Sequence, residues 1–244
     1  GVVAMKNRSH GPSPLRLAAI RANSPAMPSF RTVLLDLDGT LVDAFTTIHR
    51  AYCHTLPQFG YPAPSAEQVR RAVGGGLENA MGRFVPAELV TEACRVHVAY
   101  TEKIQLEDPT VYPGGRELVA ALRARGRKTA VLTNKIGEHA RALLAHLGLA
   151  PQLDLVLGAR DCPWRKPAAE FTAEALHRLG AEPATACLIG DSPFDLATAH
   201  NAGIPCFCVA TGTHSEQDLR AAGATAVYPD LPILGAAVFG LTLA

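Results

Sequence analysis

From Thr32 onward, short apolar runs alternate with amphipathic stretches, which predicts a parallel sheet wrapped by helices. The runs Thr32–Leu37, Thr129–Leu132, Leu153–Leu157, Cys187–Ile189, Cys206–Val209 and Ala226–Tyr228 are nearly continuous in apolar residues, as strands covered on both faces are. Helices are expected at Gly115–Arg125, Glu138–Leu147, Ala168–Leu179 and Phe194–Asn201. Gly126, Gly148, Gly180 and Gly203 stand close behind them, where left-handed C-caps belong. The apolar stretch Leu231–Ala244, broken by Pro232, Gly235 and Gly240, reads as a terminal core helix. The alternation fails once. About 90 residues separate the first two strands, far more than a crossover needs. Their pattern is helical, at Ala44–Leu56, Ala66–Ala72, Leu77–Phe84 and Pro86–Gln105. The fold class is therefore α/β, a Rossmann-like, doubly wound parallel sheet carrying an inserted all-helical subdomain.

Polar residues gather where these strands end, and in open parallel sheets ligands bind beyond the carboxyl ends of the strands. The first strand runs into Asp36-Leu37-Asp38-Gly39-Thr40, the second into Thr133-Asn134-Lys135, and the fourth into Gly190-Asp191-Ser192-Pro193-Phe194-Asp195. Lys166-Pro167 opens a helix between the last two. Several carboxylates at one sheet edge repel unless a cation compensates, and all-oxygen ligation suits Mg²⁺. Lys166 adds positive charge without competing as a ligand. A hydroxyl and backbone amides after the second strand suit an anionic oxygen. Metal, lysine, donors and a carboxylate nucleophile together make a phosphoryl-transfer site. In that reading Asp36 attacks phosphorus, and Asp38 protonates the leaving oxygen and then deprotonates water.

Composition narrows the picture further. A formal net charge of +1 gives no reason to expect nucleic acid or an acidic membrane as partner. No run of about 18 apolar residues suggests a membrane span. The six cysteines contain no Cys-x-x-Cys pair, and they read as small buried hydrophobes in a reduced, cytoplasmic setting. Residues 1–29 differ from the rest, with Lys6, Arg8, Arg16 and Arg21 but no acidic residue. They read as a leader, transit-type or cloning-derived extension.

The four polar motifs in this order resemble those of the haloacid dehalogenase superfamily, and the resemblance runs from about Phe30 to the C-terminus. It is nearest to the phosphoglycolate phosphatases, through Thr133-Asn134-Lys135, Tyr112-Pro113-Gly114 and the stretch from Asp191 to Gly203. The resemblance implies a core at 30–43 and 111–244 with a helical cap at 44–110. It implies metal ligation by Asp36, Asp38 (through its carbonyl) and Asp191, and catalysis by Asp36, Asp38, Thr133 and Lys166. Substrate contacts would come from Leu37, Thr133, Asn134 and Lys166, with Thr40 and Asp195 in support. It further implies a Mg²⁺-dependent phosphatase acting on a small phosphorylated metabolite, such as the acid 2-phosphoglycolate, as a monomer or homodimer. Asp38 argues against dehalogenation, which leaves no alcohol to protonate. Pyrophosphatase, sugar-phosphate phosphatase or β-phosphoglucomutase-like activity, and a catalytically silent binding protein on the same fold, are the alternatives.

Within the helical subdomain, Gly74-Gly75-Gly76 reads as a flexible bend facing the site. Arg70, Arg71, Arg83 and His49 are candidate cations for a substrate carboxylate. The stretch Thr211–Ser215 reads first as a helix-capping loop with Ser215 as N-cap, and second as an edge of the site.

Overall fold

A computed structural model describes residues 30–243; the extension expected at 1–29 lies outside the described residues. Six parallel strands form the main sheet: β1 (Thr32–Leu35), β4 (Lys128–Ile136), β5 (Leu155–Ala159), β6 (Ala186–Gly190), β7 (Cys206–Val209) and β8 (Val227–Tyr228). Their order is β5-β4-β1-β6-β7-β8, so the chain winds outward from β1 in both directions. Ligand crevices open at such a reversal.

Side chains alternate across this sheet with the strand period of two. Val33 and Leu35 of β1 join Val131, Cys187 and Ile189 on one face, beneath α5 (Gly115–Ala124), α6 (Gly137–His146) and α10 (Leu231–Phe239). Leu34 joins Ala130, Leu132 and Leu188 on the other, beneath α7 (Ala169–Leu179) and α8 (Pro193–Asn201). Both faces are thereby dry, which explains why the strands read as unbroken apolar runs. The short α9 (Glu216–Ala221) covers the β7–β8 edge through Leu219.

Between β1 and β4 stand α1 (Phe45–Thr55), α2 (Ala66–Ala72), α3 (Leu77–Met81) and α4 (Ala87–Ile104). These helices build a separate apolar cluster around Tyr52, Leu56, Val69 and Met81. Their two connections to the sheet pair with each other as an antiparallel ribbon, β2 (Val42–Asp43) with β3 (Thr110–Val111).

The structure moves several expected boundaries. β4 continues through Thr133-Asn134-Lys135 to Ile136, with a register irregularity after Leu132 that lets polar residues stay in an extended chain. β5 begins two residues later than the apolar run Leu153–Leu157 suggested. α3 stops at Met81, before Gly82. The terminal helix ends at Phe239 because Gly240 turns left-handed (φ 62°). No helix among the described residues is long and apolar enough to cross a membrane. All six cysteines are free thiols.

Candidate active site

β1 and β6 are neighbours in register, so the residues that follow them emerge side by side. Asp36 follows β1 and Asp191 follows β6. The backbone N–H of Asp36 donates to the carbonyl of Ile189 at 2.9 Å, which ties the first carboxylate to the second strand end. Asp36, Asp191 and Asp195 each bring a carboxylate oxygen to within 4.8 Å of the other two. All three are buried.

Lys166 reaches this cluster from the start of the segment before α7. Its Nζ lies 2.7 Å from Asp36 Oδ1 and 2.7 Å from Asp195 Oδ1, with the side chain 1% exposed. Asn134 fixes the lysine backbone at both ends: its Oδ1 accepts from Lys166 N at 2.9 Å, and its Nδ2 donates to Lys166 O at 3.1 Å. The same Nδ2 donates to Gly74 O across to the helical subdomain at 2.9 Å. Asn134 therefore positions Lys166 and docks the glycine bend.

Asp195 has both oxygens occupied by the protein. Oδ1 takes Lys166, and Oδ2 accepts from the backbone N–H of Asp191 and Ser192 and from Ser192 Oγ. It holds the lysine and the turn after β6. Asp191 is held from two sides. Thr40 Oγ1 donates to its Oδ1 at 3.0 Å, while Thr213 N and Oγ1 donate to its Oδ2 at 2.7 and 2.8 Å. A Cβ on Gly212 would lie 2.0 Å from that oxygen, so only glycine allows the loop to approach so closely. Ser215 also N-caps α9 in a capping box with Asp218. Thr211–Ser215 thus does both things its sequence allowed. Thr213 and Gly212 are the site residues that the motifs did not reveal, because the stronger local signal there was the cap.

Asp38 points elsewhere, with its oxygens 3.2 and 3.1 Å from Lys135 Nζ. Thr133 is buried, and its Oγ1 accepts from Lys135 N at 3.1 Å. The Leu37 side chain belongs to the core, leaving only its backbone for a ligand. Asp36, Asp38, Thr133, Asn134 and Lys135 all line one cavity of about 120 Å³ that continues between α1, α4 and α6.

The charges do not balance by themselves. Three buried carboxylates face one lysine. Burial pushes the Asp36 carboxyl well up, against the pull of Lys166 and with the push of Asp195 and Asp191. Asp191 is pushed up to about 6 by burial and by Asp195, despite its hydrogen bonds from Thr213 and Thr40. Burial opposes the Lys166 ammonium, but Asp195 and Asp36 outweigh it and hold its pKa above the ordinary lysine value. A hard divalent cation between Asp36 and Asp191 would relieve that excess, and an all-oxygen donor set suits Mg²⁺. The residues present fit such an ion.

Residues 33–209 match the family model for haloacid dehalogenase-like hydrolases. "Probable phosphatase IndB" of Dickeya dadantii is 38% identical over 78% of this chain and 85% of that protein. The phosphoglycolate phosphatase of Rhodospirillum rubrum is 35% identical over 84% of this chain and 89% of its own length. Among solved structures, a predicted phosphatase from Clostridium acetobutylicum superimposes with a TM-score of 0.81 at 25% identity, covering 87% of this chain and 99% of that one.

Proposed function

The chain belongs to the haloacid dehalogenase-like hydrolases, and we propose that within them it is a Mg²⁺-dependent phosphomonoesterase working through an aspartyl phosphate on Asp36. The observation that carries this reading is Asp36 itself, a buried carboxylate 2.7 Å from Lys166 and within 4.8 Å of Asp191, lining a cavity.

Mg²⁺, held by Asp36, Asp191 and the Asp38 carbonyl, would supply charge neutralisation on the phosphoryl oxygens. The remaining chemistry falls to the chain. Lys166 offsets charge on the nucleophile and the phosphoryl group, while Thr133 and the amides beside it donate to phosphoryl oxygens. An Asp36 oxygen bonds to phosphorus as the ester P–O bond breaks, and Asp38 gives its proton to the departing alcohol. Water then attacks phosphorus, the Asp36–phosphorus bond breaks, and Asp38 takes the water proton. Ester and water become alcohol and phosphate. Lys135 Nζ, 3.2 and 3.1 Å from the two Asp38 oxygens, holds that carboxyl in place beside the reacting group. Residues 44–110 act as the cap, and the β2–β3 ribbon carries its movement over the core.

The substrate is a small phosphorylated metabolite. 2-Phosphoglycolate is the first compound to assay, since the relative in Rhodospirillum rubrum is named for hydrolysing it. Asp36→Asn should abolish turnover of every ester while the folded structure persists. Acid-quenched wild-type enzyme should carry one phosphoryl group on the peptide containing Asp36. Wild-type-like rates in the variant would remove Asp36 as nucleophile.

A further inference from the structure

Beyond the phosphoryl end, the cavity runs between α1, α4 and α6. Its walls there are apolar, including Ile48, Val73, Leu77, Val98 and Leu143. Of the polar groups that interrupt them, three stand without a partner. Tyr52 Oη, His97 Nε2 and Gln105 Oε1 are buried, line this cavity and have no hydrogen-bond partner. Tyr52 is 1% exposed and His97 7%. Leaving one buried donor or acceptor unmet costs about 1–3 kcal/mol, so three around one cavity mark where a ligand completes the set. His97 is oriented for this: its ring packs edge-on to Tyr52, and its Nδ1 lies 3.4 Å from Thr101 Oγ1.

Among the described residues, this cavity is lined by no unpaired lysine or arginine. Arg70 donates to Gly212 O and covers the Phe45 ring, Arg71 pairs with Glu67, Arg83 donates to Arg71 O, and His49 contacts Pro64 O. None of the four expected carboxylate partners lines the cavity. Lys135 does, but it is already paired with Asp38. Burial, together with Lys135 and His139, pushes His97 down to about 3, so its ring is neutral at pH 7.

Resting on the phosphatase reading above, we propose that this end of the cavity selects phosphomonoesters of an uncharged alcohol. That alcohol has an apolar ring or chain and a hydrogen-bonding edge that meets Tyr52 Oη, His97 Nε2 and Gln105 Oε1. A carboxylate in that position loses its hydration without gaining a cation. A neutral amide of the same shape gains up to three hydrogen bonds.

A matched pair tests this on the full-length enzyme with Mg²⁺: 4-carbamoylbenzyl phosphate against 4-carboxybenzyl phosphate, with benzyl phosphate and 2-phosphoglycolate alongside. The amide should exceed both acids in kcat/KM by at least about 10-fold. Tyr52→Phe should lower kcat/KM for the amide several-fold through KM, lower that for benzyl phosphate by a much smaller factor, and melt at or above the wild-type temperature. Equal losses on both esters would make Tyr52 merely structural. Acids turned over as fast as the amide would overturn the selectivity while leaving the phosphatase intact. No hydrolysis of any ester would instead sink the Asp36 chemistry, and this inference with it.

Discussion

At the sheet end of the cavity, Asp191 accepts from Thr40 and Thr213, Asp195 accepts from Lys166, Ser192 and two backbone amides, and Asn134 brackets the Lys166 backbone. At the helical end, Tyr52, His97 and Gln105 hold polar atoms with no protein partner. The first arrangement is saturated by the chain and so is fixed before any ligand arrives, as electrostatic preorganisation requires. The second is incomplete on its own. In the proposed reading, one cavity separates chemistry, built on strand ends that share a register, from recognition, built on helices joined to the sheet by two short strands.

The largest effects should come from the saturated end. Asp36→Asn removes the proposed nucleophile and also one of three crowded carboxylates. Turnover should fall by about 10⁴-fold or more, with stability equal to or above wild type. Lys166→Met should be as inactive but for a second reason. It leaves Asp36 and Asp195 buried without their counter-charge, and breaking such a pair costs about 3–5 kcal/mol. Urea unfolding separates the two variants, since they look alike in an activity assay. If Lys166→Met unfolds with the wild-type midpoint, the lysine does not hold the site together.

Thr213→Val is the intermediate case. It deletes the hydroxyl on Asp191 Oδ2 and keeps the backbone donor from the same residue. Groups that orient a metal ligand typically govern affinity by 10–100-fold, so the Mg²⁺ concentration for half-maximal rate should rise about 10-fold. The rate at saturating Mg²⁺ should stay near wild type. A variant with unchanged Mg²⁺ dependence would show that the loop packs against Asp191 without tuning it.

The contrast between the two ends also governs what the sequence made legible. Asp36 and Asp191 are readable because parallel strands are unmistakable apolar runs whose ends gather polar residues, and Lys166 because Lys166-Pro167 stands just ahead of a helix. The fold class and the helical insertion follow from the same periodicity. Thr213 is not readable, because it reaches Asp191 from a loop whose evident local role is to cap α9. The Lys135–Asp38 pair joins residues 97 positions apart, and nothing local announces it. The polar end of β4 defeats an apolar-run criterion, and two-residue strands such as β2 and β3 are too short to show any period. Gly74-Gly75-Gly76 is visible but its cause is not: a Cβ on Gly75 would lie 2.2 Å from Asn79 Nδ2 and 2.6 Å from the Phe194 ring, so the bend is pressed between α3 and the helix after β6. His97 looks like one more polar residue on an 18-residue helix until the tertiary packing buries it.

That burial gives the smallest prediction and the one specific to the unsaturated end. Burial is the main reason His97 is held at about 3 when folded, against 6.5 for an ordinary histidine. Between those values the unfolded chain binds a proton that the folded chain refuses. Stability is therefore full above pH 6.5 and declines as pH falls below it. For one group the loss reaches about 1.4 kcal/mol at pH 5.5. His139, whose pKa is also lowered chiefly by burial, adds a contribution of the same sign. Urea unfolding at pH 7.5 and 5.5 should show wild type losing more stability than His97→Gln, by about that amount. An identical loss in both proteins would mean that the His97 ring takes up its proton in the folded state, and a charged ring could then meet a substrate carboxylate after all.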